Sequence, residues 1–355
     1  MRTVAIIAAL GVTMMQSTPG ISDGRPESSD ECGCTADAAT QSAQIPPRFE
    51  DLEGSGVGAH DPAMAMEGHN YYLFCTGPGI AFRTSADGKR WSMPTRVFDR
   101  AVSWTGPTIP GSRDHYWAPD ISYFNHRWHL YYAVSTFGHN RSAIGLATNT
   151  TLDPTKPGYR WEDEGPAVQS YSTDNFNAID PSICLDEKGQ PWMAFGSFWS
   201  GIKIVPIDPA TGKPRDLELV PISIASRPRP GAIEAPCIIR HGGWFYLFAS
   251  FDFCCRGVNS TYNIRVGRSK SISGPYADRE GKPMLDDGGT SVLATHGRWH
   301  GPGGNSIMRD GRKDLLVYHS YDAEANGMPK LRIEPIRWDK EGWPSVASAG
   351  LPPTK

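Results

Sequence analysis

The chain of 355 residues lacks several features that would direct a reading of its function. It has no excess charge of either sign: 35 Lys and Arg against 38 Asp and Glu leave a formal net charge of −3. No broad field is therefore available to attract DNA, RNA or an anionic membrane. No apolar run after the N-terminus is long enough to span a bilayer. There is no sustained helical periodicity, and no cysteine–histidine spacing of the kind that cages zinc. Cysteines are few and odd in number, seven, so at least one lacks a partner within the chain. Cys75, Cys184 and Cys237 fall in strand-like runs and read as small buried hydrophobes. Cys32 and Cys34 could bridge locally or to another chain. The adjacent Cys254 and Cys255 leave two options open, a vicinal disulfide or two buried thiols.

What is present is glycine (38), proline (30) and aromatic residues, including eleven tryptophans. Short strands joined by tight turns require this composition. The aromatic residues gather in a recurring template, a turn with proline or glycine followed by an aromatic-rich strand. Asn177–Ile202 shows it in full: Asp180-Pro181, an apolar run, a turn at Lys188-Gly189-Gln190, the strand Trp192–Phe195 and a break at Gly196-Ser197. His60-Asp61-Pro62 leads likewise to NYYLF, Trp117-Ala118-Pro119-Asp120 to WHLYY, Glu234-Ala235-Pro236 to WFYLF, and Gly301-Pro302-Gly303-Gly304 to DLLVY. Five copies at a period of about 55 to 70 residues mean a repeat architecture. Each copy holds about four short strands, which predicts an all-β, five-bladed β-propeller. In the fourth copy, Gly274-Pro275-Tyr276 is expected to enter the last strand. The predicted boundaries are a signal peptide at 1–20, a flexible linker at 21–52, the propeller at 53–345 and a tail at 346–355. Arg2 followed by the apolar run Val4–Met14 carries the signal reading and implies a secreted or periplasmic protein.

In a propeller the innermost strands line a central channel, and matching positions of the blades converge at one mouth. The five repeat starts carry Asp61, Asp120, Asp180, Glu234 and Gly304. A single Asp-Pro usually opens a turn, but a Glu has no such use, and several carboxylates at matching positions repel unless something uses them. With no nucleophilic serine or cysteine motif, clustered carboxylates point to glycoside hydrolysis, in which one acid protonates the leaving oxygen and a second carboxylate activates water or attacks carbon. Trp117, Phe198 and Trp199 are placed to stack on sugar faces. Trp117, Asp120, Ser197 and Trp199 are the candidate substrate contacts, and Asp61, Asp180 and Glu234 the candidate catalytic residues.

From about Gly58 to Pro344 the chain resembles the arabinanases of glycoside hydrolase family 43. The matching pieces include His60-Asp61-Pro62, WAPDI at 117–121, YYAVSTFG at 131–138, NAIDPS at 177–182 and GSFWSGIK at 196–203. Ile233–Pro236 and FDFCCRGVNSTYNIRVGRS at 251–269 also match, the latter resembling the endo-1,5-α-L-arabinanase group. The resemblance implies a five-bladed propeller and inversion. It implies Asp61 as general base, Glu234 as general acid, and Asp180 as a third carboxylate whose charge raises the acid's pKa and orients it. An inverting pair would stand roughly 6.5 to 9.5 Å apart. The implied substrate is plant cell-wall arabinan or arabino-oligosaccharide, cleaved by a monomer. Exo-acting relatives (α-L-arabinofuranosidase, β-xylosidase) and a non-catalytic carbohydrate-binding propeller are the alternatives. A retaining fructan-type propeller would need an Arg-Asp-Pro, and Arg113-Asp114 is followed by His115. In one place the chain departs from the family, whose fifth blade carries a histidine after Gly-Pro-Gly that holds a hydrated calcium or other ion. Gly304 stands there, so a calcium site near the channel is lost, altered or rebuilt around a different histidine, His300 or His319.

Overall fold

The aromatic runs become the middle strands of five antiparallel blades. The computed structural model describes residues 56–216, 220–311 and 313–349. The proposed signal peptide and linker lie outside the described residues. Blade 1 holds the strands Ala63–Glu67, Asn70–Cys75, Ala81–Ser85 and Thr95–Arg96. The main strands of blade 2 are His115–Phe124, Arg127–Val134, Ser142–Asn149 and Glu162–Ser170. Blade 3 is built on Ser182–Leu185, Pro191–Phe195 and Ile202–Asp208. Blade 4 holds Ile233–His241, Trp244–Phe251, Asn263–Ser269 and Thr290–Leu293.

Blade 5 has three strands of its own, Trp299–Asp310, Lys313–Asp322 and Met328–Pro335. Its remaining edge is covered from the other end of the domain: Gly58 bridges to Lys330, and the Leu331 N–H donates to the Val57 carbonyl at 2.9 Å. The ring is closed in this way.

Each middle strand is apolar on both faces because it is sandwiched between two neighbouring blades. Side chains alternate along a strand. Tyr72 and Phe74 therefore pack with Leu130 and Tyr132 of blade 2, while Tyr71 and Leu73 pack with Leu315 and Val317 of blade 5. In blade 4, Phe245 and Leu247 face blade 3, and Tyr246 and Phe248 face Leu316 and Tyr318 of blade 5. The fifth cluster joins blades 2 and 3 through Tyr131, Leu146, Met193 and Phe195. The core is thus five wedges between blades. Truncating one fully buried ring, as in Phe248→Ala, costs about 3–5 kcal/mol.

The structure differs from the sequence reading in two places. Gly274-Pro275-Tyr276 does not enter the last strand of blade 4; Ala277 bridges back to Arg268, and the last strand is Thr290–Leu293. The packed domain also runs past residue 345, because Val346 is buried beside Trp343 and the Ser348 N–H donates to Glu334 Oε2 at 3.0 Å. Cys75, Cys184 and Cys237 are buried thiols, and Cys254 is disulfide-bonded to Cys255.

Candidate active site

A shared backbone device marks the inner strands, just before them in blades 1 and 3 and as a bulge within them in blades 2, 4 and 5. Asp61, Ala118, Asp180, Ala235 and Gly304 all adopt left-handed φ values, between +40° and +57°. Four of the five are not glycine and precede proline, a conformation that costs about 1–3 kcal/mol each and collects at functional sites. This device corrects the matching of the repeats. Gly304 stands level with Asp61 and Asp180, but Glu234 lies one residue earlier, level with His60 and Trp117. Asp120 lies two residues later, level with Ser182 and Ser306.

The offset decides where each side chain goes. His60, Trp117, Asp61, Asp180 and Glu234 line an open cleft of about 1350 Å³ on one face of the propeller. Ser197 and Trp199 line it too. Asp120 does not line that cleft. It lines a small cavity in the channel beneath, with Asp61, Asp180, Gly304 and Asn305. There its Oδ2 accepts from Ser122 Oγ at 2.7 Å, and burial, against that hydrogen bond and the Ile183 N–H, pushes its pKa up to about 7.

Asp61 is held on one oxygen. Its Oδ2 accepts from Thr76 Oγ1 at 2.6 Å and from His60 Nδ1 at 2.8 Å, while Oδ1 faces His319 Nδ1 at 3.6 Å, beyond hydrogen-bond reach. Burial acts to raise its pKa, but the charge and hydrogen bond of His60, with His319 and Thr76, outweigh it and hold the carboxyl well below the usual range. It is an anion with an oxygen turned away from its hydrogen-bond donors. For His60, burial acts to lower the pKa, and Asp61 and Glu234 bring a net rise.

Glu234 is the opposite case. Its Oε2 accepts from Ser197 Oγ at 2.5 Å and its Oε1 from the Tyr262 hydroxyl. Both hydroxyls can accept as well as donate, so they hold the carboxyl in either charge state. Burial, with the Asp61 charge added, pushes its pKa up to about 7 against Ser197 and His60. Ser197 is thus a support of Glu234. Asp180 is raised well above its ordinary value, first by burial and then by the charges of Glu234 and Asp61. Its Oδ2 accepts the Ala235 N–H at 3.0 Å and so orients the peptide that carries Glu234. Burial is therefore the leading cause of the raised acid, ahead of any neighbouring charge.

Sequence reasoning missed Thr76, Tyr262 and Tyr321, and the exposed Phe137 beside the cleft. Tyr262 was hidden because its partner constraint is a glycine: a Cβ at Gly303 would run into the Tyr262 ring. Of the two histidines weighed for an ion, His319 reaches Asp61, its Nδ1 accepting the Asp61 N–H at 3.1 Å. His300 contributes its backbone carbonyl to Ser320.

The donor atoms of His60, Asp61 and His319 lie within 4.8 Å of one another. Calcium takes six to eight oxygen ligands, whereas this set offers two imidazoles and one carboxylate. Both nitrogens of His60, and Nδ1 of His319, already face protein partners. Gly304 supplies no side chain, and the place one would take is filled by the His319 ring and Asp61. A calcium ion held here would take most of its oxygens from water, and His319 Nε2 is buried with no hydrogen-bond partner among the described residues.

A carboxyl that keeps its proton near neutrality, together with one held as an anion, in a cleft walled by aromatic rings, is the equipment of an acid–base glycosidase. The chain belongs to glycosyl hydrolases family 43, whose family model matches residues 56–344. It is 46% identical over 291 residues to the extracellular endo-alpha-(1->5)-L-arabinanase 1 of Bacillus subtilis, covering 81% of this chain and 87% of that protein. It is 43% identical to the extracellular exo-alpha-(1->5)-L-arabinofuranosidase ArbA of Cellvibrio japonicus, covering 82% and 86%. The solved GH43 endo-arabinanase of Bacillus licheniformis superimposes with a TM-score of 0.76 at 46% identity, covering 81% of this chain and 97% of that one.

Proposed function

We propose that this protein is an inverting endo-1,5-α-L-arabinanase, secreted as a monomer and acting on internal bonds of cell-wall arabinan. The observation that carries the reading is the pairing of opposite protonation states in one roomy cleft: Asp61 held as anion and Glu234 with a pKa of about 7. Glu234 donates a proton to the leaving oxygen, and Asp61 takes one from water through Oδ1, the oxygen that Thr76 and His60 leave without a hydrogen bond. Asp180 holds the Glu234–Ala235 peptide by accepting the Ala235 N–H. Trp117, Phe137 and Trp199 supply faces for furanose rings on either side of the cleaved bond. The cleft exceeds the roughly 300–1,000 Å³ of ordinary small-molecule pockets, which suits several sugar units. The similarity to an extracellular arabinanase supports substrate and export.

An exo-acting reading is the alternative, supported by the likeness to the Cellvibrio japonicus protein. Early products from debranched linear arabinan separate the two. A ladder of short oligomers is expected, and arabinose as the only early product would sink the endo reading.

A further inference from the structure

We infer that the vicinal disulfide Cys254–Cys255 is a positioning element for Asp61, acting through Tyr321 and His60, so that a dithiol switches the enzyme to a slow form. The inference rests on Asp61 being the general base. Cys254 and Cys255 line the same cleft as the three carboxylates. The Cys255 N–H donates to the Tyr321 hydroxyl oxygen at 2.8 Å. Tyr321 also hydrogen-bonds Ser260, whose Oγ accepts the Arg256 N–H at 2.9 Å. The loop that carries the disulfide therefore grips the phenol at two points. The phenol oxygen lies 3.0 Å from His60 Nε2, and His60 Nδ1 lies 2.8 Å from Asp61 Oδ2. An ionised carboxylate only accepts, so Nδ1 carries the proton of that last bond.

The disulfide matters because of the backbone it constrains. Cys255 has φ +65° and Asp252 φ +69°, left-handed values that non-glycine residues leave when free to do so. Bonding two adjacent cysteines restricts the peptide between them, and this conformation aims the Cys255 N–H at Tyr321. Cys255 Sγ also lies 3.9 Å from His60 Nε2, so the bridge itself abuts the ring that orients the base. Reduction takes two electrons and two protons from a dithiol, breaks the S–S bond, leaves two thiols and closes the dithiol into its own disulfide. Cys255 can then leave the left-handed region and release Tyr321.

The ionisable groups around Asp61 are His60, His319, Cys75, Asp180, Glu234 and Tyr321. Only His60 and Tyr321 lie on the route from the disulfide. Loss of the His60 bond lets the Asp61 pKa rise toward its ordinary value. The low-pH limb of kcat/KM, where the base must be ionised, then moves to higher pH.

The test is full-chain enzyme on linear arabinan, with and without dithiothreitol, beside Tyr321→Phe and the double variant Cys254→Ala, Cys255→Ala. Reduced wild type and Tyr321→Phe are expected to lose about 10- to 100-fold in kcat. KM should change little, and the low-pH limb should rise by about one unit. Dithiothreitol should leave the double cysteine variant unaltered, which excludes Cys32 and Cys34 as the target. Reoxidation should restore the wild type. If the double variant does not fold, reduced wild type and Tyr321→Phe still decide the matter. Asp61→Ala is the check on the underlying reading: if it remains active, the base assignment falls. An inactive Asp61→Ala beside a reduced wild type with unchanged kcat and pH limb overturns the disulfide inference alone.

Discussion

Placing a single methyl group at Gly304 tests how closely the catalytic carboxylate is confined. Gly304 has φ +57°, and an added Cβ would lie 2.7 Å from His319 Cε1 and Nδ1 and closer still to Asp61 Oδ1. Ordinary contact between heavy atoms is about 3.5 Å, so a ring or a carboxylate must retreat by about an ångström. Neither moves freely, since Asp61 is bonded to Thr76 and His60, and the His319 side chain is fully buried. A displacement of that size in a reacting group costs about 100-fold in rate. The backbone penalty of alanine in a left-handed conformation is separate, about 1–2 kcal/mol, or a few degrees in Tm for a domain of this size. Gly68 isolates that penalty: it has φ +64° with nothing within 4 Å of its Cβ position. Gly304→Ala should therefore lose more Tm than Gly68→Ala in a thermal melt, the excess reporting the clash, and only Gly304→Ala should lose about 100-fold in kcat/KM on linear arabinan. Equal kcat/KM for the two variants would refute the claim that the Gly304 void is what lets Asp61 and His319 sit where they do.

Glu234→Ala should nearly abolish arabinan cleavage yet keep far more activity on an aryl arabino-oligosaccharide, because a nitrophenolate leaves without a proton; general acid help is worth about 10²- to 10⁴-fold. Asp61→Ala should be poor on both substrates, and equal losses on both for a folded Glu234→Ala would remove the acid assignment. Asp180→Asn still accepts the Ala235 N–H but cannot ionise. Burial and the Asp61 charge, not Asp180, raise the acid, and Asp180 is itself raised well above its ordinary value; the limb governing loss of activity as pH rises through about 7 should therefore stay in place, and a limb moved to lower pH would show that an Asp180 charge also holds the proton on Glu234. Treatment with a chelator should leave the initial rate unchanged; loss restored only by calcium would show a site built around His319, and His319→Ala would be the variant to make.

The ring of blades was legible because its cause is local. NYYLF, WHLYY and WFYLF are apolar on both faces, and only a strand between two packed neighbours needs that. Asp61, Asp180 and Glu234 were legible as acids at repeat starts, but their register was not. The left-handed turn before each proline shifts Glu234 by one residue and Asp120 by two, and sequence shows the residues without their φ values. In sequence Asp120 therefore reads as a substrate contact, whereas in the fold it lies in the channel. The supports of the acids were hidden for a different reason. His319 and Tyr321 come from the second strand of blade 5, far along the chain from His60 and Asp61, and nothing near them in sequence shows that the ring brings them together. Gly303 and Gly304 held the clue as spaces: one admits the ring of Tyr262, the other that of His319.

The seam where Val57 and Gly58 join Lys330 and Leu331 has a consequence for how the enzyme is made. His60 and Asp61 follow directly on that seam, yet the residues that fasten it, and His319 and Tyr321, belong to the fifth blade and are made after the other four. Until then the base has no mate, and four blades can stack before the catalytic centre exists. A chain cut short before Tyr321 would carry all three carboxylates and lack the tyrosine that steadies His60. Activity in this protein is therefore a report that translation reached the end of the ring.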